Sequence, residues 1–259
     1  MPTPSRRVSP GLHDWMASTA ARRRTKAALA WSIVLTVALY LVPFGQLLAY
    51  PLVLLSTLVH EVGHGLTAVV VGGNFERFVM FADASGMAFS TGVEPGWPQA
   101  LVAAGGLVGP SLGAGLAFVA ARRAAWSRAF LVGMSAVLVL LLVLVIRNPF
   151  GIVFAGVLVT LLGWLGLRAS ASSAQVATVF MAVQLALSVF SRGDYLFMKE
   201  AETGAGTTPS DTAHIAMALG GPYWAWGLAC GAFSVLVLVA GVWAFSAALG
   251  PTRLRARAA

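Results

Sequence analysis

The sequence predicts an all-α polytopic membrane protein with about seven transmembrane helices and a small amphipathic hairpin after the second. Of the 259 residues, 58% are hydrophobic and only 10% are charged, whereas soluble domains carry about 25% charged residues. The apolar residues also fall into runs of about 20, the length that crosses a bilayer as a helix. This composition excludes most soluble folds and favours one membrane domain.

The excess of basic residues follows the pattern of a membrane protein rather than that of a nucleic-acid-binding protein. The formal net charge is +8, and the basic residues lie at the N-terminus, in short connections and at the C-terminus. Basic residues beside apolar spans favour the cytoplasmic side. We expect a basic cytoplasmic tail at residues 1–26, a membrane-embedded domain at 27–248 and a basic tail at 249–259, with the lipid bilayer and no nucleic acid as partner.

The first elements are two spans and a hairpin. The first span covers residues 27–42, and the arginine cluster before it places its N-terminus inside. The second covers residues 51–72, which is long enough to cross about 30 Å of hydrocarbon. Residues 74–97 then mix aromatic and charged side chains with glycines, and the Ser85-Gly86 pair indicates the turn of a hairpin.

Five further apolar runs complete the predicted membrane domain, although the total number of spans is open by one. In the third span, Gly105, Gly109 and Gly113 fall four residues apart, which predicts a neighbouring helix close to that face. Residues 199–221 are polar and rich in glycine, so we expect a loop with at most a short helix at 211–219. The five remaining spans are residues 98–120, 129–146, 150–167, 173–191 and 222–246.

The motif that carries chemistry is His60-Glu61-Val62-Gly63-His64, in the second span. Two histidines four positions apart project from one helix face, so their imidazole nitrogens can bind one ion. The glutamate beside the first histidine can act as general base on a water molecule at that ion. A purely structural polar cluster is the alternative, but an ionisable side chain at mid-bilayer costs about 2.5–3.5 kcal/mol. The motif therefore favours a Zn²⁺ site with His60 and His64 as ligands and Glu61 as catalytic base.

A catalytic zinc usually takes a third protein ligand, and Asp194 and Asp211 are the two candidates. Asp194 directly follows the span at 173–191, which in a seven-span arrangement places it at the depth of His64. Asp211 precedes a helical pattern, where aspartate is also common as an N-terminal cap. We prefer Asp194 as the third ligand and keep Asp211 as the alternative ligand, or as a carboxylate that orients a histidine. His214 is interpreted as an ordinary loop histidine.

A His-Glu-Val-Gly-His-Gly motif in a membrane span, followed by a glycine-containing hairpin and distal aspartates, resembles the site-2 protease clan. The chain looks most like the bacterial M50B-like membrane metallopeptidases, over roughly residues 50–246. The resemblance implies a zinc-dependent intramembrane protease of a bacterial cell membrane, with membrane-protein substrates such as single-pass regulators. It also implies that both motif histidines and a distant aspartate bind the zinc. The hairpin at 75–91 would either pair with an extended substrate segment or only seal the site.

The sequence departs from the second motif of that clan, Asn-Pro-x-x-Asp-Gly. Asn148-Pro149-Phe150-Gly151 reproduces its start without the aspartate. We interpret Asn148 as part of a helix stop at the membrane interface in preference to a residue that orients the substrate backbone. The alternative function is a non-proteolytic zinc-binding membrane protein of the same fold. A transporter is disfavoured, because the sequence has no visible internal repeat.

Overall fold

The computed structural model describes residues 10–41, 43–191, 195–204 and 206–247, most of which are helical. The helices are α1 (Pro10–Leu41), α2 (Gly45–Val70), α3 (Trp97–Ala120), α4 (Ala124–Leu144), α5 (Pro149–Leu167), α6 (Ala171–Ser191), α7 (Asp211–Leu219) and α8 (Tyr223–Ser246). The strands are β1 (Asn74–Met80), β2 (Gly86–Thr91), β3 (Glu200–Thr203) and β4 (Gly206–Pro209), and a 3-10 turn occupies Tyr195–Phe197.

Within the described ranges, six helices are long and apolar enough to cross a membrane, namely α2 to α6 and α8. Their outer surfaces carry apolar side chains such as Val70, Leu116 and Trp243, all strongly exposed, as contact with lipid requires. Six of the predicted spans each overlap one of these helices. Residues 27–41 of the span predicted at 27–42 lie within α1, which is not one of the six, so a total of seven stays a prediction.

Helix α1 joins the predicted basic tail to the first apolar run. Residues 17–30 are rich in alanine, arginine and lysine, which are good helix formers, so the helix begins well before the apolar run does. Buried polar contacts connect α1 to its neighbours. Gln175 of α6 donates from Nε2 to Thr25 Oγ1 at 2.9 Å and to the carbonyl oxygen of Ala121 at 2.7 Å. One side chain thereby connects α6 to α1 and to the end of α3.

Helix α3 packs against α2, α6, α7 and α8, and its approach to α2 depends on glycine. A Cβ atom built at Gly105 would lie 2.8 Å from the carbonyl oxygen of Gly63, and one at Gly109 would lie 2.9 Å from that of Val59. The two backbones are therefore too close for any larger residue. The glycine face predicted in the third span is confirmed at these two positions, with α2 as the partner helix.

Strands β1 and β2 form an antiparallel pair that folds back along α2. Two side-chain hydroxyl groups of α2 are hydrogen-bonded to the turn between β1 and β2. Tyr50 Oη donates to the carbonyl oxygen of Ala82 at 2.6 Å, and Thr57 Oγ1 donates to that of Ala84 at 2.7 Å. Because Tyr50 lies in the first turns of α2 and β1 follows the end of α2, the hairpin runs beside most of the helix.

The other edge of β1 pairs with the connection between α4 and α5. The amide of Phe78 donates to the carbonyl oxygen of Val145 at 2.8 Å, and that of Arg147 donates to the carbonyl oxygen of Phe78 at 3.2 Å. The side chain of Asn148 then pairs with Met80 in the same way. Its Oδ1 accepts from the Met80 amide at 3.1 Å, and its Nδ2 donates to the Met80 carbonyl oxygen at 2.6 Å. Asn148 therefore holds the end of β1 where α5 begins.

The segment predicted as a loop with a short helix contains that helix, α7, and a second pair of strands that the sequence did not indicate. Strands β3 and β4 are antiparallel and only four residues long each. They lack the alternation of apolar and polar residues that marks a strand. The amide of Gly204 donates to Ser85 Oγ at 2.9 Å, so the turns of the two hairpins are in contact.

Candidate metal centre

Helix α2 brings His60 and His64 together near its middle. Their Nε2 atoms are 3.1 Å apart, as expected for side chains one turn apart on one helix face. Both side chains are mostly buried, with 13% and 14% of their surface exposed. Two imidazole nitrogens are thereby directed at one point in the interior of the helix bundle.

Helix α7 supplies a carboxylate to the same point. Asp211 Oδ2 lies 3.1 Å from His60 Nε2, and Asp211 Oδ1 lies 3.4 Å from His64 Nε2. The helix cap is Ser210, whose Oγ accepts from the Ala213 amide at 3.2 Å, so the Asp211 carboxylate is directed at the histidines. The ligand atoms of the three residues all lie within 4.8 Å of one another. They could therefore hold one metal ion.

The charge state of Asp211 suits a metal ligand. Burial on its own would raise the pKa of this carboxyl, but the charge of the His64 imidazole and hydrogen bonds to both histidines outweigh that effect. The pKa of Asp211 consequently lies below its usual value. The group is a carboxylate, which is the form that binds a cation.

Helix α3 orients the second histidine. His64 Nδ1 lies 2.8 Å from the carbonyl oxygen of Val102. Since a carbonyl oxygen only accepts, Nδ1 carries the hydrogen, so Nε2 is the atom that would give up its proton and bind a metal ion. Gly106 leaves the space for this ring, because a Cβ atom there would lie 2.1 Å from His64 Nε2. Helix α3 therefore determines both the tautomer and the position of His64.

Strand β2 holds the carboxylate of Glu61, which is only 7% exposed. Glu61 Oε2 accepts a hydrogen bond from the amide of Ala88 at 2.7 Å. Ala88 lies opposite Phe78 in the hairpin, and the polar backbone groups of Phe78 face residues 145–147. In an antiparallel pair the amide of the opposite residue then also points away from its partner strand. The outer edge of β2 is thereby turned towards α2 and Glu61.

A cavity of about 400 Å³ opens beside these side chains. Its walls come from α2, β2, α3, the β3–β4 pair and α7, and they include His60, Glu61, His64, Asp211 and His214. A cavity of this size is in the range of small-molecule sites. A buried carboxylate and a potential metal site therefore share one space that can admit a ligand.

A family model described as Peptidase M50B-like matches residues 27–241. The matched range covers most of the chain and contains the whole cluster described above. The chain belongs to the Peptidase M50B-like family. The resemblance predicted from the histidine motif is thereby confirmed. No curated protein and no solved structure matches this chain at a significant level.

Membership of the M50B-like family and the six spanning helices together make this chain an integral membrane protein of a metallopeptidase family. The Asn-Pro segment has a structural role here, because the side-chain amide group of Asn148 is hydrogen-bonded to the backbone of Met80. Asn148 lies between the end of α4 at Leu144 and the start of α5 at Pro149, which is where its interpretation as part of a helix stop had placed it.

Only one of the two candidate third ligands lies among the residues that the structure describes. Asp211 lies beside His60 and His64. Asp194 lies outside the described residues, so the preference for it over Asp211 stays a prediction. Depth along a span favoured Asp194. Packing of α7 against α3 brings Asp211 to the histidines, and a single sequence gives no sign of that packing.

One residue of the cavity wall was missed by sequence reasoning. His214 was interpreted as an ordinary loop histidine, but it lies in α7 and lines the same cavity as Asp211. The signal that could have found it is the spacing of three residues at the start of a predicted helix, which places both side chains on one face.

Proposed function

We propose that this M50B-like protein is an intramembrane zinc endopeptidase that hydrolyses peptide bonds of membrane-protein substrates. The observation that carries this proposal is the convergence of two imidazoles and a carboxylate beside a buried glutamate in one cavity. Two nitrogens and one oxygen are a donor set found in catalytic zinc sites, where the fourth position is kept for water.

The donor atoms of the three residues lie close enough together to share one zinc ion. Ligand atoms about 2.1 Å from zinc at tetrahedral angles are about 3.4 Å from one another. His60 Nε2 lies 3.1 Å from His64 Nε2 and 3.1 Å from Asp211 Oδ2, and His64 Nε2 lies 3.4 Å from the other carboxylate oxygen, Oδ1. We therefore take these three residues as the ligands. Zinc held there would supply a water of lowered pKa and polarise a substrate carbonyl group.

Glu61 is the proposed general base. It takes a proton from the attacking water and delivers it to the leaving amine. The hydrogen bond from the Ala88 amide at 2.7 Å fixes Oε2. No described residue is hydrogen-bonded to Oε1, so this oxygen is available to the water.

The part of the outer edge of β2 beyond Ala88, whose amide is bound to Glu61, is the proposed place for the substrate backbone. A peptide in lipid is hydrogen-bonded within its own helix, so it must unwind before its carbonyl groups can be attacked. An unwound segment can regain hydrogen bonds by pairing with an exposed strand edge. Residues 86–90 of β2 line the cavity. Single-pass membrane proteins are the proposed substrates, because one helix can unwind without leaving a bundle.

The proposed location is a bacterial cell membrane with the N-terminus in the cytoplasm. The basic residues that precede the apolar part of α1 support this orientation, since positive charge beside a span favours the cytoplasmic side.

Replacing Glu61 by Gln tests the proposal. We expect cleavage of dye-labelled casein and of single-pass membrane segments by the purified protein to fall by at least about 10²-fold, while zinc content measured by elemental analysis stays the same. Glu94→Gln is the matched control, because Glu94 is exposed and outside the cavity. Equal cleavage by Glu61→Gln would contradict the proposed role of Glu61. Zinc-loaded wild-type protein that cleaves none of these substrates would favour the non-proteolytic alternative.

A further inference from the structure

His214 lies on the wall of the cavity, one turn along α7 from Asp211. The side chain is half-buried. Residues three apart share a helix face, so the imidazole is presented on the side of α7 that carries the Asp211 carboxylate. No residue in the described part of the chain is hydrogen-bonded to this ring. The ring N–H of His214 is therefore available as a hydrogen-bond donor inside the cavity.

A hydrogen-bond donor at this place can accelerate peptide hydrolysis. Attack on a peptide carbonyl group moves an electron pair onto its oxygen, and donors held ready for that charge are a large source of rate acceleration. The other side chains with an N–H group are less suited than His214 to donate to that oxygen. Asn148 is bound to Met80, and Gln99 is exposed at the cavity rim. Among the described residues, no arginine or lysine lines the cavity.

The position of His214 is well defined because α7 is anchored at its start and along its buried face. Ser210 Oγ accepts from the Ala213 amide at 3.2 Å and donates to the carbonyl oxygen of Met198 at 2.6 Å. Ile215, next to His214, is 2% exposed and packs with Leu107 of α3. A donor on a rigid element costs little reorganisation during the reaction.

We propose that His214 is a catalytic residue whose ring N–H donates a hydrogen bond to the scissile carbonyl oxygen as negative charge develops on it. The inference rests on the proposed peptidase function. The attacking oxygen forms a bond to the carbonyl carbon while the carbonyl π pair moves to oxygen, and His214 keeps its proton throughout. The pair then returns as the C–N bond breaks, and the leaving amine takes the proton that Glu61 carries.

The test compares His214→Ala with the wild-type protein in detergent, with dye-labelled casein as substrate. We expect kcat to fall by about 10²–10³-fold, with KM and zinc content unchanged. We also expect binding of a phosphinic peptide, whose tetrahedral phosphorus resembles the attacked carbon, to weaken by a similar factor. His214→Gln should recover at least about a tenth of kcat, because an amide N–H can also donate.

Thr208→Val is the matched control, because Thr208 lines the same cavity from β4 and should change kcat by less than about threefold. Unchanged kcat and phosphinic peptide affinity in His214→Ala would overturn the inference and leave the peptidase function standing. Loss of zinc from His214→Ala would also overturn it, since His214 would then be a ligand. If wild-type protein and Glu61→Gln were equally inactive, the proposed function itself would fail, and the inference with it.

Discussion

Gly106 shows how closely the site depends on single residues. Its lack of a side chain leaves room for the His64 ring, whose Nδ1 is fixed by the Val102 carbonyl oxygen. A methyl group at Gly106 would lie 2.1 Å from His64 Nε2 and 2.2 Å from its Cε1, far inside van der Waals contact. The ring cannot keep both its position and its hydrogen bond beside such a methyl group.

We therefore expect Gly106→Ala to weaken zinc binding by about 10–100-fold, the usual effect of disturbing a residue that orients a ligand. Competition with a zinc chelator of known affinity measures this change. Gly133→Ala in α4 is the control, because no atom lies within 4 Å of a Cβ there and alanine favours a helix. Unchanged zinc affinity in Gly106→Ala would contradict the position given for His64.

Single substitutions at the two aspartates also test which of them is the third ligand. We expect Asp211→Asn to lose most of its bound zinc, because a neutral amide oxygen replaces the carboxylate next to His60 and His64. Asp194→Asn is the comparison, and it should retain the wild-type zinc content. Elemental analysis of both purified variants decides between them. The opposite result, with zinc lost from Asp194→Asn alone, would restore the preference that depth in the membrane had suggested.

At the scale of elements, the two hairpins meet through Ser85. Its Oγ accepts from the Gly204 amide at 2.9 Å and donates to Asp83 Oδ1 at 2.6 Å. The hydrogen bonds from the side chain and amide of Ser85 lower the pKa of Asp83. A lowered pKa means that the contact contributes stability above the usual carboxyl pKa and loses it as the pH falls through the lowered value.

Replacing Ser85 by Ala should loosen the β3–β4 pair, because Gly204 loses its acceptor in the first hairpin. We expect faster hydrogen exchange at residues 200–209, measured by mass spectrometry at neutral pH, with no change in α4 and α5. Ser90→Ala is the control, because Ser90 lies on the same hairpin and is exposed. Equal exchange in Ser85→Ala and wild-type protein would show that the contact does not restrain the second hairpin.

At the scale of the whole molecule, a bound metal ion would connect α2 to α7, which are distant along the chain. Both helices pack against α3, so the ion adds a link between its two neighbours. A ligand that binds only the folded state stabilises it by about 2.7 kcal/mol at a hundredfold excess over Kd. Removal of the metal ion should therefore be detectable as a loss of stability.

We expect a chelator to lower the Tm of the wild-type protein in detergent, and acidification to do the same, because protonated imidazoles release metal ions. Glu61→Gln should respond like the wild type, since Glu61 is not a proposed ligand. His64→Ala should not respond to the chelator at all. A wild-type Tm that is insensitive to metal removal would argue against a metal ion held between α2 and α7.

Part of this molecule follows from local patterns in the sequence. Apolar runs of spanning length determine the membrane helices, because water is excluded from the bilayer core and the backbone must satisfy its own hydrogen bonds there. The helical period determines that His60 and His64 share a face. The glycine spacing in α3 determines where another helix can approach. Each of these depends only on neighbours within a few turns.

Tertiary structure alone decided what meets the histidines. Asp211 reaches them because α7 packs on α3, and His214 enters the cavity for the same reason. The Val102 carbonyl oxygen and the Ala88 amide orient His64 and Glu61. Both are backbone groups, so the residue types at these positions do not indicate this role. Contacts between distant segments depend on how whole helices pack, and local periodicity carries no information about that.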